Sequence, residues 1–140
     1  MKDNLTKAIE ILNSGQYTCV LCKDDKVYTS TERGVKPLLD WLESKQDLKG
    51  FSAADKVVGK AAAFLYVLLG IREVYACVMS EAAIDIFTSN NIQPRWEQSV
   101  KSIINRAGTG FCPMEEAVRD IEVPKEAKQA IENKLEQIKS

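Results

Sequence analysis

The chain has 140 residues, 45% of them hydrophobic, which is the length of one ordinary domain with enough apolar material to bury a core without staples. Lys+Arg number 19 and Asp+Glu 20, a balance that argues against nucleic acid as a partner, since phosphate binding shows as a clustered basic excess. There is no histidine, which excludes a Ser-His-Asp triad, a Cys-His dyad and any His-ligated metal.

In chain order, Leu5, Ala8, Ile9 and Leu12 fall on one face of a predicted helix over 3–13, and Gly15 is suited to end it. YTCVLC (17–22) and KVYTS (26–30), joined by KDD, read as a β-hairpin. GVKPLLDWLES (34–44) reads as a helix with Pro37 in its first turn. AADKVVGKAAAFLYVLLG (53–70) reads as the strongest helix, apolar on nearly every face in its second half and therefore buried. EVYACVM (73–79) is a near-continuous apolar run, expected as the central strand of a sheet. SEAAIDIFTSNN opens at 80 with an N-capping serine. A short strand is expected near 95–100, then a connector over 101–110, then a helix of two to three turns in CPMEEAVRDI. The chain closes on an amphipathic helix over 124–140, with Ala127, Ile131, Leu135 and Ile138 on one side. With no internal repeat or linker, a single domain over 1–140 is expected, an α/β fold with helices on both faces of a mixed sheet. The longest apolar run, 61–69, is too short for a membrane span and is flanked by Lys60 and Arg72. The charged N-terminus MKDNLTKAIEIL does not read as a secretory signal, so a cytoplasmic location is expected.

Four stretches could carry chemistry. Cys19 and Cys22 form a C-x-x-C, but side chains three apart on a strand diverge, so both read as core residues rather than a metal clamp. Cys77 reads likewise as a core residue. In DKVVGKAA, a helix starting near Ala54 would put Lys56 and Lys60 on one face, with Asp55 able to orient Lys60. A lysine there could hold a phosphate or carboxylate, or stay in solvent. Gly59 inside such a helix would need a packing or ligand-approach reason. Ser80 ends a strand and opens a helix, where free N–H groups attract anions, although a plain N-cap is sufficient reason for it.

In NRAGTGFCPMEE, Arg106 is a bidentate donor, Thr109 adds a hydroxyl, and the glycines permit a tight loop. Cys112 would be an N-cap, Pro113 the first helical residue, and Glu115 the residue that reaches back to the cap's N–H. A helix start lowers a thiol's pKa, so Cys112 is the cysteine with a case for reactivity, while Glu115 and Glu116 oppose it. Nucleophile, pocket lining and inert cap all remain open for Cys112.

The hairpin, then DKVVGKAAAFLYVLLGIREVYACVMSEAAIDIF, then INRAGTGFCPMEEAV, resembles a prokaryotic domain-of-unknown-function family similar to the cytidine-deaminase-like fold without its zinc site. The resemblance covers roughly 5–120. It implies a three-layer α/β/α sandwich and brings no activity with it. Deaminases carry H/C-x-E and P-C-x-x-C motifs that hold zinc. Here Val58 stands at the ligand position, Lys60 at the glutamate position, and Met79, Ser80 and Glu81 at the second motif, so no metal and no cofactor is expected. A lysine in place of the glutamate implies a pocket for an anion, at the carboxyl end of the central strand.

The expectation is thus a metal-free domain that binds a small anionic metabolite or nucleotide through Asp55, Lys56, Lys60, Ser80, Arg106, Thr109, Cys112 and Glu115. One alternative is group transfer with Cys112 or Lys60 as the catalytic residue. Another is a non-catalytic interaction module with an empty pocket. Nucleic acid and membrane are not expected as partners. Self-association is implied by the resemblance.

Overall fold

The structure is a computed structural model that describes residues 3–104, 110 and 112–139. Among the described residues, five strands form one mixed sheet: β1 (Cys19–Lys23), β2 (Lys26–Ser30), β3 (Ser52–Val58), β4 (Glu73–Ser80) and β5 (Gln93–Val100). Their order is β2-β1-β3-β4-β5. β1 runs antiparallel to both β2 and β3, while β3, β4 and β5 are parallel. The hairpin turns at Asp24, whose φ of 55° is one that Asp tolerates.

The helices are α1 (Asn4–Ser14), α2 (Lys36–Ser44), α3 (Lys60–Leu69), α4 (Glu81–Ser89), α5 (Pro113–Ala117) and α6 (Pro124–Lys139). Helix α1 covers one face of the sheet. It is capped by the Asp3 carboxylate, which accepts the Thr6 N–H at 2.7 Å. Its Leu5, Ala8 and Leu12 pack on Val20, Cys22, Ala54 and Tyr75. The other face carries the larger core, with α3 at its centre in contact with α2, α4, α5 and α6. Seven of the ten residues of α3 are buried, which is why it shows no polar stripe. Helix α6 docks through Ala127 and Ile131, while Ile138 at its end is exposed. The result is the expected α/β/α sandwich, one helix deep on one side.

The helix predicted over 53–70 is in fact two elements. Residues 52–58 form β3, the middle strand, and only 60–69 are helical, with Gly59 as the N-cap. The strand sits between β1 and β4, and helices cover both faces. Its first four residues are therefore all buried, and the alternation that identifies a half-buried strand is lost. The alanines favour a helix locally, and tertiary pairing overrides them. Lys56 accordingly lies on a strand and Lys60 opens the next helix, so they share no helix face. β4, expected as the central strand, lies one place off centre.

Candidate functional site

A cleft of about 610 Å³ opens at the carboxyl end of β3. Its buried floor is Cys19 from β1 and Asp55 from β3. One wall is the first turn of α3 and the start of α2; the opposite wall is Ile103, Ile104 and the Cys112–Glu115 stretch. Glu32, Arg33 and Lys56 also line it, the first two exposed to solvent.

Asp55 is the chemical centre of this cleft. Only 9% of its surface is exposed. Tyr66 on α3 donates its hydroxyl to Asp55 Oδ2 at 2.6 Å, and Cys19 Sγ lies 3.1 Å from the same hydroxyl. The backbone amides of Lys56 and Val57 and the Cys19 thiol lie beside the carboxylate and favour its charged form. Among the described residues no cation forms an ion pair with it. Burial outweighs these hydrogen bonds and pushes Asp55 up to about 6. Burial likewise pushes the Cys19 thiol and the Tyr66 hydroxyl well above their ordinary values, so both stay protonated as donors. A carboxylate in this setting can accept an N–H or O–H from a bound molecule, and it can exchange a proton near neutral pH.

The opposite wall is fastened by Glu115. The expected capping box within α5 is not formed: the Cys112 N–H donates to the Ile103 carbonyl at 3.2 Å instead. Glu115 reaches across to α3, accepting the N–H groups of Lys60 at 2.7 Å and Ala61 at 2.8 Å. The protein's own carboxylate thus fills the helix start where an external anion would dock. This explains Gly59. A Cβ there would overlap Glu115 Oε1, and would stand 2.6 Å from its Cδ and 2.8 Å from Ile103 Cγ1. The helix expected over CPMEEAVRDI is correspondingly short, ending at Ala117 before a turn.

Of the residues singled out in the sequence, the structure brings Asp55, Lys56, Cys112 and Glu115 to this cleft. It does not bring Lys60 there. The Lys60 ammonium donates to the Arg119 carbonyl at 2.9 Å, lies 3.8 Å from Glu122 Oε1 and stands 5.8 Å from the Phe64 ring centroid. Asp55 therefore orients Tyr66 rather than Lys60. Ser80 is buried at the end of β4, where its hydroxyl accepts the Ala83 N–H at 3.2 Å as an N-cap. Arg106 and Thr109 lie outside the described residues. Cys112 starts α5 without a side-chain cap bond. Sequence reasoning missed Cys19, Tyr66, Glu32 and Arg33. Tyr66 left one signal: a phenol inside an otherwise apolar buried helix needs a hydrogen-bond partner.

The model of the family "Domain of unknown function (DUF1893)" matches residues 7–135. The chain belongs to the DUF1893 family. The crystal structure of a DUF1893 family protein from Thermotoga maritima, TM1506, superposes with a TM-score of 0.83 at 22% identity, over 98% of this chain and 92% of that one. At that identity the match establishes a shared fold. A dCMP deaminase from the cyanophage S-TIM5, in apo form, is 11% identical over 71% of this chain and all of its own, with a TM-score of 0.45, a weak likeness. No curated protein matches the chain.

In this DUF1893 chain Val58, Met79 and Ser80, which the sequence sets against the deaminase zinc motifs, offer no free metal ligand. Val58 and Met79 are fully buried core residues, and Ser80 is committed to its cap. Cys19 and Cys22 point to opposite faces of β1. Among the described residues no group of three or more His, Cys, Asp or Glu could hold a metal ion, and no helix is long and apolar enough to cross a membrane.

Proposed function

We propose that the cleft above Asp55 binds a small molecule carrying a hydrogen-bond-donating head and an anionic tail. The head meets the Asp55 carboxylate at the floor, and the tail meets Arg33 at the rim. The observation that carries this reading is Asp55 itself: a buried carboxylate without a cation among the described residues, opening on a cleft large enough for a metabolite. Arg33 forms no ion pair among the described residues, which leaves its charge for a ligand. Relative to the expectation from sequence, which placed Lys56, Lys60 and Arg106 around the anion, this reading gives that role to Arg33. Chemistry at Cys112 is the alternative, because its thiol lines the same cleft.

The test is a thermal-shift screen of nucleosides, nucleotides, sugar phosphates and amino or hydroxy acids. A ligand at about 100 times its Kd adds roughly 2.7 kcal/mol, or several degrees. A hit is expected to weaken in Asp55→Asn and in Arg33→Glu, while Lys60→Met leaves it unchanged. A hit unaffected by both cleft substitutions, or silence across the panel, would refute the reading and favour a non-catalytic interaction module.

A further inference from the structure

Strand β5 is an open edge of the sheet. It pairs with β4 along its whole length, from Glu73↔Gln93 to Ser80↔Val100, and among the described residues no strand lies beyond it. Six of its eight residues are exposed, an unusual state for an edge that long, because free N–H and C=O groups there invite another strand. The opposite edge, β2, is only five residues long.

The backbone phase of this edge can be read directly. The Gln93 N–H donates to the Arg72 carbonyl at 3.3 Å, so odd-numbered residues aim their backbone groups at β4. Even-numbered Pro94, Trp96, Gln98 and Val100 present theirs outward. Pro94, which lacks an N–H, therefore costs the ladder nothing. The side chains alternate too. Tyr75 donates its hydroxyl to Glu97 at 3.1 Å, which places Glu97, and with it Arg95, on the α1 face. Trp96, 41% exposed, lies on the other face.

We propose that two copies of the chain join β5 to β5, antiparallel, about a twofold axis through Trp96. In that register the two Trp96 residues exchange N–H···O bonds, and each Gln98 N–H meets the Pro94 carbonyl of the other copy. Arg95 of each copy then stands opposite Glu97 of the other, twice over. These are non-hydrogen-bonded pairs, whose side chains approach most closely and suit an ion pair. The two exposed Trp96 rings meet on the opposite face. Sliding the centre to Gln98 puts Arg95 opposite Lys101, two like charges, and Glu97 opposite Ser99. Sliding it to Pro94 puts Arg95 opposite Gln93 and places two prolines, without donors, at the axis. Of these three registers only the one centred on Trp96 is complementary in charge, and an isologous pair of this kind closes after two copies.

The test is the mass of the full chain in solution, by light scattering and sedimentation across the micromolar range. The wild type is expected to be a dimer. Arg95→Glu alone and Glu97→Arg alone each create two like-charged pairs and should weaken dimerisation by at least about tenfold. Mixed in equal amounts, the two variants set an acid opposite a base at both cross-strand pairs, and should form a heterodimer. Hydrogen exchange supplies a second readout: the Trp96 and Gln98 amides should be protected in the wild type and exposed in Arg95→Glu. A monomeric wild type overturns the proposal. So does a dimer that neither substitution weakens, a mixture that stays monomeric, or fast exchange at those two amides.

Discussion

Replacing Asp55 by Asn should stabilise the protein at neutral pH, although it alters a residue with several hydrogen bonds. Burial raises Asp55 from its ordinary 3.8 to about 6. At about 1.4 kcal/mol for each pH unit of that displacement, the ionised side chain costs the fold about 3 kcal/mol. The sign follows from proton binding. Below about pH 3 the carboxyl is protonated whether the chain is folded or not, and there is no cost. Between about 4 and 6 the folded chain holds a proton that the unfolded chain has released, so stability falls as pH rises. Above about 6 the penalty is complete and constant. Asn can occupy the site because its amide donates to Tyr66 Oη and the Tyr66 hydroxyl then donates to Cys19, while its carbonyl takes the place of the other carboxylate oxygen. Chemical denaturation of both proteins at several pH values isolates the effect, since other groups cancel in the difference. The variant's advantage over wild type should grow by about 3 kcal/mol between pH 3 and 7.5, equivalent to about 10 °C at the higher pH in a chain this size. A difference that stays flat with pH would refute the claim that Asp55 is ionised at a desolvation cost.

Three further outcomes follow from the same contacts. Gly59→Ala and Glu115→Ala should each destabilise by about 1–3 kcal/mol, and the double substitution should cost clearly less than their sum, because both act by removing the Glu115 cap from α3; a double-mutant cycle by urea denaturation measures the coupling. Ser80→Ala should cost about 1 kcal/mol through loss of its bond to the Ala83 N–H, without affecting any ligand of the cleft. Alkylation of the native protein followed by mass spectrometry should label the half-buried Cys112 and Cys77 well before the buried Cys19 and Cys22; Cys19 is protected twice, by burial and by a thiol pushed well above its ordinary value.

Local patterns in the sequence determined much of the frame. The 3.6-residue spacing of Leu5, Ala8 and Leu12, the KDD turn, Ser80 ahead of an acidic first turn, and the Ala127–Ile131 face of α6 each report on partners within a few residues. Such signals survive without tertiary context. The residue types also determined that no histidine chemistry is available.

Tertiary structure decided the site. The 52–58 segment is a strand because β1 and β4 flank it, and a strand buried on both faces loses the alternation that would announce it. The Glu115 carboxylate belongs to a helix start 55 residues earlier in the chain, and no spacing rule points that far. Lys60 turns toward the Arg119 carbonyl because the α5–α6 connection happens to lie over it. Asp55 becomes a buried acid without a cation beside it only once Tyr66 and Cys19 close around it. Sequence periodicity records which face of an element is apolar; it does not record which polar groups from distant elements meet once those faces are packed.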